Sequence, residues 1–305
     1  AGRASSAVTR EDLDRRQPRS APDALRYEAG VFVQQTAHGQ GSAYLRGLTG
    51  YQTLLLFDGV RINNATFRQG PNQYFFTLDA RTIDSIEVLR GGASTRWGSD
   101  ALGGALQAFP SEPRLLAPGD DGVHGLLAPQ ARAATADREL GGRAQLELSL
   151  RRGGLALGLL GGFGGREVGL LKAGGPIENP DPTTPLGRYP AVPRFAADGK
   201  TQLGTGFREL SGDLRLVATL GDGPSGAPRH RLTLAGYVYR QYDVPRTDQC
   251  PAPTAPLDSC LIYDEQFRHL IYGAYEHRGG RPALASLRVT LSWQQQHERQ
   301  RQEQP

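Results

Sequence analysis

After about residue 120, apolar and polar residues alternate with a period of two. In Arg143–Arg151, Ala144, Leu146, Leu148 and Leu150 share one side, opposite Arg143, Gln145, Glu147, Ser149 and Arg151. In Leu210–Leu220 the apolar side holds Leu210, Leu214, Leu216, Ala218 and Leu220, against Ser211, Asp213, Arg215 and Thr219. In Ala285–Gln295 it holds Ala285, Leu287, Val289, Leu291 and Trp293, against Ser286, Arg288, Thr290, Ser292 and Gln294. Val123–Ala133, Leu155–Gly165, His230–Gln241 and Phe267–His277 read as further strands, about seven in all. Successive side chains of a strand point to opposite faces, so each strand has one greasy and one wet side. Runs of about ten residues exceed the ~5–6 usual in soluble sheets and suit a tilted strand crossing a bilayer core. The same alternation fits a soluble antiparallel sandwich with one buried face.

The connections favour the membrane reading. Arg152–Gly154, Gly221–Arg229 and Arg278–Pro282 are short turns, whereas Arg166–Gly206 and Tyr242–Gln266 are long. An outer-membrane barrel keeps short turns at one rim and long loops at the other, and a sandwich has no reason to sort its links this way. The run Gln294–Pro305 is polar and directly follows a strand-like run, the seven strands spanning Val123 to His297.

The first third is patterned differently, as mixed α and β. Ser20 reads as the N-cap of a short helix over Ala21–Glu28, ended by Gly30. Val31–Gln35, Leu54–Phe57, Val60–Asn63, Ile83–Leu89 and Ala105–Phe109 read as short strands. Asp58-Gly59 lies between two of them and marks a tight hairpin turn, because both turn positions want positive φ. Pro110 and Pro113 mark the boundary, giving an α+β domain over 1–112 followed by an all-β region over 113–305.

Composition narrows the function. The 35 basic and 31 acidic residues leave a net charge of +4, and only two of the basic residues are lysines, Lys172 and Lys200. The arginines are scattered rather than clustered, which argues against a nucleic-acid partner. No run approaches the ~18 apolar residues of a membrane helix. No nucleophile elbow, P-loop or zinc motif occurs, so neither an enzyme, a resident cofactor nor a metal site is expected. The chain has no Met and no charged-then-apolar leader, and reads as a fragment or a processed chain.

Three stretches then carry a resemblance: Leu45-Arg46-Gly47-Leu48, Leu54–Asn63 (LLLFDGVRIN) and Ile83–Gln107 (IDSIEVLRGGASTRWGSDALGGALQ). With Val8–Leu13 and Ala24–Val31 upstream, they resemble, in order and spacing, the plug domain of TonB-dependent outer-membrane receptors. The resemblance covers about a third of the chain, and the strands behind it suit the barrel of the same family.

It implies a plug followed by antiparallel transmembrane β-barrel strands, with the barrel incomplete in this chain. It implies a Gram-negative outer membrane as location, with lipid around the strands. It implies import of a scarce nutrient, most often a ferric siderophore or similar small-molecule chelate. Energy would come from the inner-membrane TonB complex through a short box that Ala1–Ala7 do not show. A plug-bearing signalling receptor and a soluble β-rich binding protein or adhesin remain as alternatives.

The resemblance implies that Arg46, Glu87 and Arg90 form ion pairs tying plug to wall. By position at the plug apex, Thr66, Phe67, Arg68, Gln69, Asn72 and Tyr74 are candidate substrate contacts, their arginine and aromatic groups suiting an anionic or ring-bearing chelate. In an exported protein, Cys250 and Cys260 read as a disulfide closing a small external loop, with free thiols or a metal pair as the alternatives, the latter without CxxC spacing.

Overall fold

The computed structural model describes residues 5–64, 74–175, 195–196, 198, 200–222, 228–250, 259–281 and 284–304. The chain opens with β1 (Ser5–Val8) and α1 (Arg10–Arg16). Thr9 and Asp12 form a reciprocal capping box, each side chain accepting from the other's backbone N–H. Arg15 and Arg16 sit in the last turn, where cations suit the helix dipole.

The helix expected over Ala21–Glu28 is absent; the segment holds a single 3-10 turn, Asp23–Leu25. Ser20 does not cap it, for its Oγ is buried without a hydrogen-bond partner. Ala21, Ala24 and Leu25 are fully buried, so packing rather than helix propensity shapes this stretch.

Next come β2 (Val31–Ala37) and β3 (Gln40–Leu45), which pair with each other, then β4 (Thr53–Phe57), β5 (Val60–Arg61), β6 (Ile83–Arg90), the short α2 (Ser94–Trp97) and β7 (Gly104–Pro110). β1 and β4–β7 make one sheet in the order β1-β6-β7-β4-β5, with only β4 and β7 parallel. Val8, Leu13, Phe57, Ile83, Ile86 and Leu106 lie at the centre of the core of this unit.

The rest is one antiparallel meander of seven strands: β8 (Gly122–Ala134), β9 (Glu139–Arg152), β10 (Leu155–Val168), β11 (Phe207–Asp222), β12 (Pro228–Pro245), β13 (Cys260–Arg281) and β14 (Leu284–Glu303). All seven expected strands are present, and most extend further than the alternation indicated. β14 runs on past His297 through the polar stretch, paired with β13 as far as Glu303. The ladder continues there because it needs only backbone partners, and polar side chains are acceptable on both faces away from the apolar band.

The two faces of this sheet are unlike. Outward leucines stay uncovered: Leu146, Leu214 and Leu291 are 41%, 47% and 77% exposed. Among the described residues no second sheet lies over them, as a sandwich would require. The inward face carries Arg143, Glu209, Ser211, Arg215, Gln241 and Arg268, all buried because the N-terminal unit lies against it. The polar side of the sheet is thus the covered side. A smaller apolar contact joins the two units, with Ala235, Leu270 and Tyr272 entering the N-terminal core and Tyr237 meeting Phe57 edge-on at 4.8 Å. Among the described residues the sheet does not close; β8 and β14 are its edges.

Candidate functional site

The chemistry of the molecule is concentrated where the N-terminal unit meets the polar face of the sheet. Near the short-turn rim, Asp58 and Gly59 have φ of +48° and +80°, the tight turn expected from their sequence. The turn also presents the Asp58 carboxylate to the wall. Its Oδ2 accepts from Arg215 Nη1 at 3.0 Å and from the Tyr272 hydroxyl at 2.5 Å, and Arg288 lies 3.6 Å from Oδ1. Arg215 reaches onward to Glu112 at 2.8 Å, at the exit from the N-terminal unit.

Midway along the wall lies a buried network. Asp79 accepts from the Arg81 backbone N–H at 2.9 Å, from the Arg81 guanidinium, and from the Ser211 hydroxyl at 2.5 Å. Arg81 Nη2 in turn reaches Ser211 at 3.1 Å and Glu209 at 3.4 Å. On the wall, Glu209 also accepts from Arg166 at 2.8 Å and from the Tyr239 hydroxyl at 2.7 Å.

Arg143 pairs with Asp213 and approaches Asp79 at 4.0 Å. It gets there over Gly162, where a Cβ would lie 2.5 Å from Arg143 Nη2. Burial pushes the Asp79 carboxyl up, but the adjacent Arg81 guanidinium and the hydrogen bonds from Arg81 and Ser211 outweigh it and hold the group at about 2.

Towards the long-loop rim, His38 Nε2 lies 3.1 Å from Asp137, which also pairs with Arg19 at 3.2 Å. Burial lowers the His38 pKa below the usual imidazole value, against the pull of Asp137. Further contacts link the N-terminal unit to β13 and β14. The Tyr74 hydroxyl donates to Glu298 at 2.7 Å, and Asn64 donates to Gln296 at 3.1 Å. Arg268, buried, donates to Thr77 Oγ1 at 2.8 Å and to the Ile62 carbonyl at 3.2 Å.

The site residues named from sequence fall out unevenly. Tyr74 is 1% exposed and turned into the wall contact. Thr66, Phe67, Arg68, Gln69 and Asn72 lie outside the described residues. Cys250 and Cys260 are joined by a disulfide.

Of Arg46, Glu87 and Arg90, the last requires correction. Arg90 Nη2 lies 3.5 Å from Glu28 and donates to Ser6 Oγ at 2.8 Å, so it ties the N-terminal unit to itself. The reason is its place in the sheet: β6 pairs with β1, which puts its end beside Ser6. Arg46 and Glu87 are exposed, and neither is ion-paired among the described residues. Asp58, Asp79, Arg81 and His38 hold the wall instead. The only advance signal for their partners was the inward phase of the alternation, which places Arg143, Asp213 and Arg215 on the wet side.

A small α+β domain is thus seated largely by charge on the polar face of a seven-stranded antiparallel sheet. Residues 1–105 match the TonB-dependent receptor plug domain. Over 102 residues the chain is 37% identical to the vitamin B12 transporter BtuB of Photobacterium profundum, a match that covers 33% of this chain and 16% of that protein. The fold is similar to the siderophore receptor PirA of Acinetobacter baumannii (TM-score 0.61, 17% identity, 96% of this chain and 40% of that one). It is also similar to the ferric yersiniabactin uptake receptor FyuA of Yersinia pestis (TM-score 0.56, 14% identity, 99% and 50%). The N-terminal third of the chain thus matches the plug domain of TonB-dependent receptors, and the chain as a whole has the fold of part of the solved receptors. It spans 16% of the length of the transporter it matches and half or less of these solved receptors.

Proposed function

We propose that the receptor represented by this chain imports a scarce chelate, a ferric siderophore or a molecule of similar bulk, across the outer membrane of a Gram-negative bacterium. The leucine face of β8–β14 meets lipid, and the plug closes the lumen. Substrate is received on the long-loop side, and force delivered by the TonB complex at the inner membrane shifts the plug.

The observation that carries this reading is the nature of the plug–wall contact. It is dominated by ion pairs and hydrogen bonds, as at Asp58–Arg215 and Arg81–Glu209. Water replaces such contacts at little net cost, because a hydrogen bond exchanged with solvent is worth only about 1 kcal/mol. A plug held this way moves without baring a large apolar surface.

Uptake of radiolabelled ferric chelates by intact cells bearing the full-length receptor, with and without a protonophore, tests the reading. Saturable uptake abolished by the protonophore is the expected result. Surface binding with no uptake of any ferric chelate or of cobalamin would overturn it and leave a ligand-reporting role.

A further inference from the structure

Five consecutive residues at the tip of the β2–β3 hairpin, Thr36–Gln40, meet the rim of the wall. Ala37 packs with Val168, Phe207, Val244 and Tyr263. His38 lies against Asp137, Gln241 Nε2 donates to the Gly39 carbonyl at 2.9 Å, and the Gln40 side chain bonds Gln266. The Asp248 N–H points at the Thr36 carbonyl at 3.4 Å.

This last contact comes from the segment leaving β12, which is folded back on itself. Arg246 N–H donates to the Leu261 carbonyl at 2.8 Å, and Cys250 N–H donates to the Arg246 carbonyl at 2.7 Å. Thr247 Oγ1 donates to the Gly204 carbonyl at 2.9 Å. The segment lies flush on Gly204, where a Cβ would stand 2.5 Å from the Cys250 carbonyl oxygen. Leu261, next to Cys260, packs onto the same cluster that holds Ala37.

We propose that the Cys250–Cys260 disulfide is the fastener of a clasp that seats the plug's hairpin tip against the rim, a redox-sensitive hold on the plug. Apart from the disulfide, whose two cysteines are buried, half-buried Arg246 and Thr247 and exposed Asp248 are held by hydrogen bonds of modest net worth and by the Arg246–Asp248 ion pair. The covalent link, ten residues apart in sequence, removes the open conformations that would otherwise compete. Reduction by a dithiol breaks the S–S bond and leaves two thiols, while the dithiol loses two electrons and two protons and becomes a cyclic disulfide. The β12–β13 ladder, which runs from His230 to Pro245, stays paired, so release is confined to the rim and the tip beneath it.

Hydrogen exchange on the full-length receptor in detergent tests the clasp, comparing the oxidised protein, protein reduced with dithiothreitol and alkylated, and Cys250→Ser/Cys260→Ser. Exchange at residues 36–40 should rise at least tenfold in the last two, with β6 and β7 unchanged and heat-modifiable gel migration intact. Unchanged exchange at residues 36–40, whether or not residues 246–250 speed up, would overturn the proposal. If the double variant does not assemble, reduction of the folded protein decides alone.

Discussion

Asp58 Oδ2 lies 3.0 Å from Arg215 Nη1, which places a turn residue of the plug in direct charge contact with the third strand after β8. Asp58 serves two ends, since it adopts the left-handed conformation of the hairpin and neutralises a buried guanidinium. Asp58→Asn keeps the turn, because asparagine also tolerates positive φ, but removes the charge. It should weaken the seating of the plug on the order of 3 kcal/mol, the scale for stranding a buried charge. Asp58→Ala should lose more, through added turn strain. Denaturant titration followed by protease cleavage within the plug distinguishes the two; equal stability of D58N and the parent protein would refute the contact.

Arg81 and Arg90 should separate cleanly. Arg81 reaches the wall at Glu209 and Ser211, whereas Arg90 reaches Glu28 and Ser6 within the plug. Arg81→Leu is expected to loosen the plug from the wall while leaving its sheet folded. Arg90→Leu is expected to make β1 exchange faster while the wall contacts hold. Site-resolved hydrogen exchange on both variants checks the assignment.

Two buried titrating groups of the plug, Asp79 and His38, set an acid limit with a definite sign. Asp79 is held at about 2, below its ordinary 3.8, so its contribution is present above 3.8 and lost as pH falls through about 2. That contribution is on the order of 2 kcal/mol for a fully buried group. His38 is also lowered, from 6.5, so the unfolded chain takes up its proton first. Stability is therefore present above 6.5 and declines as pH falls below it. His38→Gln should flatten the pH dependence of plug stability between 7 and the folded-state value, and a parallel slope in both proteins would contradict this.

Gly162 should resist enlargement. A Cβ there meets the Arg143 guanidinium at 2.5 Å and the Ala144 carbonyl at 2.8 Å. Gly162→Ala is expected to displace Arg143 from Asp213 and Asp79, at a cost of about 1–3 kcal/mol typical of overpacking. Thermal unfolding of the variant, alone and combined with Arg143→Ala, measures the coupling, and full additivity of the two would argue against it.

Much of the architecture was legible because it rests on local rules. Alternation marked all seven wall strands, and Asp58-Gly59 marked the hairpin through a φ requirement two residues long. What was not legible depends on distant partners. The helix expected after Ser20 is absent because tertiary burial of Ala24 and Leu25 overrides a weak local signal, whereas the Thr9–Asp12 box, spaced three residues apart, does start a helix. Arg90 looked like a wall contact until its sheet position placed it beside β1. Asp79 and His38 had no signature at all, since their significance arises only when residues about a hundred positions away or more arrive opposite them.

The two bare margins of the seven-stranded sheet have a practical consequence. Among the described residues, β8 and β14 each present a row of backbone donors and acceptors with no further strand beside them. Such a row accepts any extended chain that comes alongside, another molecule of the same kind included. A preparation of these 305 residues by themselves is therefore expected to grow into ribbons or clumps, and keeping it dispersed calls for a complementary strand to occupy each margin.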